Sequence, residues 1–382
     1  MSGATAPARV SPALISIDQV ADMLAERADS IARELLPLGN RQGRNWVDAS
    51  TRKGGLGDSL MVEISGHHRG RWKHFGGTEG GDMIDLVAFV RFGGDKKAAF
   101  AWAKDYLDIA RADPEQLAAA RQQAERRREE AHAADARETA EASRRAKALW
   151  LRGVPIEGTP GEAYLRTRGI DLRALTQPPS ALRFVAECHC SEAGLALPAL
   201  VASVNDAATG AFLTAHRTWI APRAGTWASP LPPTQAGSWG KAALTYPKKA
   251  YSAYGGGIIP LSRGASGRRW RDARGDETVA LAEGIETALS VAVLMPEWRV
   301  AATVALNNMG ALVVPPSWRR IVVCADRDRP DSKAAELLPK VLRHLAQSGA
   351  EVLVIEPDAG FKDWNDQLVA ELGQAPAHQV PA

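Results

Sequence analysis

Glu283, Asp326 and Asp328 have the residue type and the placement needed to hold a divalent cation. Each follows a short apolar run. Thr278-Val279-Ala280-Leu281-Ala282 precedes Glu283-Gly284, and Ile321-Val322-Val323-Cys324-Ala325 precedes Asp326-Arg327-Asp328. Such runs read as buried parallel strands, and in open α/β sheets ligands gather beyond the carboxyl ends of strands. Three carboxylates assembled there repel one another unless a cation lies between them, and hard oxygen donors suit Mg2+ or Mn2+. That arrangement serves phosphate chemistry, in which the ion offsets charge on phosphoryl oxygens. The competing structural reading has the same acids capping helices and pairing with Arg327 and Arg329; acids at two strand ends together favour the metal.

A second constellation lies upstream. From Ala207 to Arg271 there is no Asp or Glu, against nine Lys or Arg: Arg217, Arg223, Lys241, Lys248, Lys249, Arg263, Arg268, Arg269 and Arg271. Phe212, Trp219, Trp227, Trp239, Tyr246, Tyr251, Tyr254 and Trp270 are interleaved with them. Cations that neutralise phosphates, with ring faces on which bases stack, make a surface for single-stranded nucleic acid. Arg217, Lys241, Lys248 and Lys249 are candidates for gripping a triphosphate or a template, and His216, Arg268 and Arg269 join them as nucleic-acid or nucleotide contacts. The plainer reading is a basic loop region whose tryptophans complete a modest core, and the two are compatible. Pro230, Pro232, Pro233 and Gly255-Gly256-Gly257 imply long loops here. Cys188-His189-Cys190 is too tightly spaced for a tetrahedral site and is assigned to a loop. Cys324, the remaining cysteine, reads as a packed small hydrophobe, and three cysteines support neither a disulfide framework nor a structural zinc site.

Four segments position these residues. In residues 14–108, Ile15 to Val20 opens an amphipathic helix with Val20, Met23, Leu24 and Ile31 on one face. Ser59–Ser65 alternates as a strand, with Arg71–Phe75 as its hairpin partner, and Gly80-Gly81-Asp82 leads into a capped helix over Met83–Val90. A last helix carries Ala98, Phe100, Trp102 and Tyr106. Residues 111–148 form a charged, alanine-rich helical linker: Arg111–Lys147 holds twelve alanines, nine basic and eight acidic residues, a pattern suited to a solvated helix laced by i,i+4 pairs. Residues 149–275 contain the basic stretch. Residues 276–370 alternate strands (ending at Glu283, near Val304, at Ala325 and at Ile355) with helices over Thr287–Leu294 and Ser332–Ser348, which implies a parallel sheet. The fold class expected is α/β and α+β multidomain: a C-terminal Rossmann-like parallel sheet, a basic α+β middle domain and a small α+β module in front.

Ala282-Glu283-Gly284-Ile285-Glu286-Thr287-Ala288-Leu289-Ser290, followed by Ala325-Asp326-Arg327-Asp328 and Lys333-Ala334-Ala335, resembles the Toprim domain of bacterial-type primases, topoisomerases and some nucleases. Lys362-Asp363-Trp364-Asn365-Asp366-Gln367-Leu368 resembles the closing motif of the Toprim version in phage and plasmid primase-like proteins. His216-Arg217-Thr218 is similar to a motif of those relatives, and Ala163 to Ile170 to the opening of the primase core. Trp72 to Val90 resembles the zinc-ribbon module at the front of bacterial primases. The metal-binding cysteines of that module are missing here, so no zinc is expected; His67, His68 and His74 read as surface histidines. Asp328 is followed by Arg329-Pro330-Asp331, where relatives commonly carry glycine.

The resemblance implies a Mg2+- or Mn2+-dependent nucleotidyltransferase of mobile-element type. It would make short primers from nucleoside triphosphates on a single-stranded DNA template, with Glu283, Asp326 and Asp328 catalytic and Asp363 added to the metal set. A Toprim-type nuclease and a non-catalytic single-stranded nucleic-acid-binding protein are the alternatives. No Walker A pattern occurs, so a replicative helicase would be a separate chain. Apolar stretches are too short for a membrane span, and Met1 to Pro12 lacks a signal-peptide core, so a cytoplasmic setting is expected.

Overall fold

The computed structural model describes residues 15–48, 60–66, 68–75, 79–109, 114–222, 239–327, 329 and 331–374. Asp328, His67, Arg223, Trp227, Pro230, Pro232 and Pro233 lie outside them. The chain divides into two compact units, Met1–Glu138 and Thr139–Ala382.

In the first unit, α1 (Ile17–Ala25) and α2 (Ala28–Leu35) replace the single helix expected there. Ser16 and Gln19 close a capping box on α1, and the chain leaves helical geometry at Arg27 before starting again. Ile31 therefore meets Val20 and Leu24 in one core from a second helix rather than along one face. Strands β1 (Asn40–Gln42), β2 (Asn45–Asp48), β3 (Leu60–Glu63), β4 (Trp72–His74) and β5 (Gly80–Gly81) pair in that order into a small antiparallel sheet. The expected hairpin is present, with Leu60 opposite His74 and Val62 opposite Trp72. Helix α3 (Met83–Arg91) starts where Asp82 accepts from the Ile84 and Asp85 amides, and α4 (Lys96–Tyr106) follows. The core is made by Trp46, Val62, Trp72, Leu86 and their neighbours. His74 pairs with Glu79 and His68 with Asp135, on the surface. The alanine-rich stretch is one helix, α5 (Pro114–Arg152), which extends past the boundary between the units.

The second unit opens with β6 (Val154–Pro155) and α6 (Pro160–Thr167), then three long antiparallel strands, β7 (Leu182–Cys190), β8 (Leu195–Asp206) and β9 (Phe212–Pro222). The expectation of a loop at Cys188-His189-Cys190 is incorrect: these residues end β7. Cys188 and Cys190 are buried and His189 is exposed, the period-two alternation of a strand. Short strands β10 (Trp239–Lys241) and β11 (Lys248–Ala250) both pair with β9, and β12 (Gly257–Arg263) starts beside β8. The glycines expected to form a loop make the turn into β12. Gly256 takes φ 70° there, with the Ala311 carbonyl where a Cβ would stand.

From β12 the sheet becomes mixed. Strands β13 (Thr278–Ala282), β14 (Arg299–Ala302), β15 (Arg320–Cys324) and β16 (Glu351–Ile355) are parallel in the order β14-β13-β15-β16, and β12 pairs antiparallel with β14. Helix α7 (Ile285–Leu294) packs on one face, α8 (Leu306–Met309) and α9 (Lys333–Ala346) on the other, and α10 (Trp364–Gln374) lies beside α7. Continuous apolar strands buried on both faces are what a parallel sheet with two helical layers demands. Among the described residues, no helix is long and apolar enough to cross a membrane.

Candidate active site

Strand register brings the two described acids together. Ala282 of β13 pairs with Cys324 of β15, so Glu283 and Asp326 follow neighbouring strand ends by one and two residues. Glu283 is exposed and Asp326 half-buried. The backbone around Asp326 is fixed on both sides, since Ala325 N donates to Ile355 O and Arg327 N to Lys362 O. The Arg327 guanidinium donates to the Pro357 carbonyl at 2.6 Å and lies 3.5 Å from Glu356, pointing away along the loop. Burial, with the Asp326 charge adding to it, pushes the Cys324 thiol up to about 12, which makes it a packing group. On the other flank, Thr303 donates from N and Oγ1 to the Ala282 carbonyl. Val304 follows at φ 70°, a strained conformation for a β-branched residue, at the rim of the same sheet end.

The motif Lys362 to Leu368 is what holds this end in place. Trp364 donates its indole N–H to the Ala325 carbonyl at 3.1 Å, just ahead of Asp326. The Asn365 amide donates to Arg168 O and Ser290 Oγ, tying α10 to the end of α6 and to α7. Gln367 accepts from the Asp358 amide. Asp363 caps α10: its Oδ1 accepts from the Asn365 and Asp366 amides at 3.0 and 2.9 Å.

One helical turn beyond Glu283 lies a cluster that the sequence reading did not identify. Glu286, on the first turn of α7, is only 5% exposed. Its Oε1 accepts from Tyr164 Oη at 2.5 Å, its Oε2 from Lys248 Nζ at 2.6 Å, and Lys241 Nζ lies 3.8 Å away. Burial alone would push the carboxyl up; the ammonium groups of Lys248 and Lys241 and the hydrogen bonds outweigh it and hold the acid at about 2. Pairing of Lys248 with Thr218 and of Ala250 with His216 sets Lys248, His216 and Thr218 on one face of the strands. His216 is 6% exposed, and burial, reinforced by Lys248, lowers its ring to about 4, so the imidazole is neutral at ordinary pH. Burial also lowers Lys241, where the nearby Arg168 acts in the same direction. One carboxylate thus faces both Lys241 and Lys248, with Arg168 near Lys241, which leaves the cluster with surplus positive charge. A sequence signal existed for Glu286, an acid inside an otherwise apolar helix. Tyr164 lay in the Ala163–Ile170 motif, but nothing in the sequence linked it to Glu286.

The remaining basic residues separate. Arg217 points to the opposite face of β9, stacked between Trp219 and Tyr251 with its guanidinium 4.9 Å from each ring. Lys249 is exposed between His216's and Thr218's partners on β11. Arg268 and Arg269 are exposed on a turn after β12, at the far end of the sheet from Glu283. Trp219 and Trp239 are core residues, 2% and 0% exposed, so these two rings offer no stacking platform.

Among the described residues, no group of three His, Cys, Asp or Glu side chains converges as a metal cage. Mg2+ is commonly held through one or two carboxylates plus waters and substrate phosphates rather than by an all-protein cage. Two hard-oxygen donors on adjoining, backbone-fixed strand ends fit that demand.

Residues 278–374 match the family described as Toprim domain, and residues 140–261 match a domain of unknown function, DUF7146. No curated protein matches the chain. Among solved structures, the Aquifex aeolicus primase (zinc binding and RNA polymerase domains) is similar at 13% identity and a TM-score of 0.33, over 93% of this chain and 83% of that one. The DnaG primase catalytic domain bound to ssDNA is similar at 13% identity and a TM-score of 0.35, over 62% and 78% of the two chains. The E. coli primase catalytic core is similar at 12% identity and a TM-score of 0.33, over 57% and 71%.

Proposed function

With residues 278–374 a Toprim domain, we propose that the chain is a primase-like nucleotidyltransferase that makes short primers on single-stranded DNA. The observation that carries this reading is the pairing of strand-end carboxylates with two lysines anchored on the buried Glu286 one helical turn away. Glu283 and Asp326 would hold Mg2+ or Mn2+, with Asp328 joining them. When bound, the cation supplies charge neutralisation on the phosphates during in-line displacement by a 3′-hydroxyl.

The chain's own residues do the rest. Lys241 and Lys248, held by Glu286 so that their ammonium groups are ordered beforehand, accept a polyphosphate beside the acids. Tyr164 fixes Glu286, and neutral His216 fills the floor beneath Lys248 without adding charge. Asp363 acts as the cap that sets α10, and through Trp364 it fixes the carbonyl ahead of Asp326. Arg268 and Arg269 contact the strand away from the reacting phosphate. Nucleoside triphosphates and a single-stranded template are the partners this reading requires, and a helicase on a separate chain is compatible with it.

Incubation of the full chain with labelled nucleoside triphosphates, Mg2+ or Mn2+ and a single-stranded DNA template tests the proposal. Oligonucleotide products are expected from the wild type and not from Asp326→Ala. Equal product from the two would refute it, as would labelled DNA being cut under the same metal with no nucleotide incorporated.

A further inference from the structure

A hollow lies at the opposite end of the sheet from the acids. Gly257 and Ile258 of β12 pair with Asp206 and Asn205 of β8, and the two strands then part, because from Ile259 onward β12 pairs with β14 instead. The wedge between them is a cavity of about 250 Å3, bounded by the Gln177–Ser180 loop, the turn around Thr209 and the Arg269–Arg271 turn. Its floor is apolar, with Pro179, Pro260 and Leu261, and its mouth carries Arg263, Arg269 and Arg271.

Three features make this a built surface. Arg299, fully buried, pairs with Glu277 at 3.0 Å and donates to the carbonyls of Arg263, Arg268 and Arg269. A buried guanidinium thus pins the backbone of the turn that presents the exposed arginines. Gly264, at φ 63°, closes the turn where a Cβ would stand 2.5 Å from the Glu297 carbonyl. Two polar atoms of lining residues are also buried with no hydrogen-bond partner among the described residues: Asn205 Oδ1, an acceptor, and Trp270 Nε1, a donor. The Asn205 amide nitrogen is already used on Gly210 O at 3.1 Å. Buried polar atoms left without partners are costly, and these two belong to residues that border the hollow. The carboxylate of Asp206, which also lines the hollow, is turned to the Thr209 hydroxyl and amide.

A ligand carrying an anionic group, a flat apolar body and an edge with both a donor and an acceptor matches all of this, and a nucleotide has those parts. We propose that this hollow is a nucleotide-binding site separate from the strand-end acids, with the phosphate on Arg269 and Arg271, the base in the proline-walled wedge and its edge read by Asn205 and Trp270. The site deepens the proposed function, on which it rests for the strand contact at Arg269, by adding Arg271 and a base pocket to that surface. The nucleotide is either free or one unit of a single strand, and the phosphate-plus-base chemistry is common to both.

The test uses the full chain carrying Asp326→Ala, in EDTA, so that failure of primer synthesis has no bearing on the result. Anisotropy of a labelled oligothymidylate and equilibrium dialysis of labelled dAMP report the two sources. In that background, R269E/R271E is expected to weaken binding about tenfold or more and to lower the slope of log K against log salt by about 1.4, as loss of two single-strand phosphate contacts requires. N205L is expected to weaken binding with the salt slope unchanged, which separates base contact from phosphate contact. Weakening seen with oligothymidylate alone assigns the site to a strand, and weakening seen with dAMP assigns it to a free nucleotide. Binding by R269E/R271E and N205L equal to their parent, with melting temperatures unchanged, overturns the proposal.

Discussion

Glu286 sits three residues after Glu283, yet its neighbours give it a different task. Exposed Glu283 follows a strand end, where a cation and water can reach it, while Glu286 is enclosed by Tyr164, Lys248 and Lys241. A buried acid kept ionised by two ammonium groups is a positioning group for those ammonium groups. His216 beside it has a consequence for acid stability. Its ring, at about 4 when folded, titrates at 6.5 when free, so the unfolded chain takes up the proton first. The stabilisation is complete above pH 6.5 and is lost as pH falls from 6.5 to about 4. Glu286, depressed to about 2 from 4.5, adds a loss of the same sign only below pH 4.5. Urea unfolding should therefore show stability falling by on the order of 3 kcal/mol across the His216 window. His216→Gln should flatten that fall, and an unchanged slope in the variant would remove His216 as its cause. The burial of His216 was not legible beforehand. His216 and Arg217 both read as nucleic-acid or nucleotide contacts, and only the structure shows that they face opposite sides of β9.

At the scale of elements, most of the C-terminal half was legible, because each apolar run was bounded by a glycine or an acid. The strand over Glu351–Ile355 lies as expected, and the helix expected over Ser332–Ser348 is α9, Lys333–Ala346, with Ser332 as its cap. The helix after Glu283 begins two residues earlier than its composition suggested, since Gly284 serves as its N-cap position. The basic stretch was harder to read. No strand was expected there, and pairing with β8 makes Phe212–Pro222 an eleven-residue strand. Asp363, which the resemblance placed with the metal ligands, accepts from the Asn365 and Asp366 amides at the start of α10. As a cap, Asp363→Ala should cost about 1 kcal/mol, with Asp363→Asn recovering most of it. Divalent-cation affinity should be the same in Asp363→Asn as in the wild type. A tenfold loss of affinity in the folded Asn variant would return Asp363 to the ligand set.

For the whole molecule, composition made the long polar helix legible, since alanine and charge without aromatic residues cannot form a core. The sequence did not indicate that β12 would join the antiparallel strands and the parallel strands into one continuous eleven-stranded sheet. That join lets Lys241 and Lys248, far from Glu283 in the chain, share a face with the helix that follows it. The proposed activity requires a cation at the carboxyl end of that sheet. Titration of the full chain with Mn2+, followed by the loss of free-ion paramagnetic resonance signal, measures this directly. The wild type should bind Mn2+, Glu283→Gln and Asp326→Asn should each weaken binding at least about tenfold, as loss of one hard ligand implies, and Glu286→Gln should bind as the wild type does. Equal Mn2+ affinity in the wild type, Glu283→Gln and Asp326→Asn would contradict it.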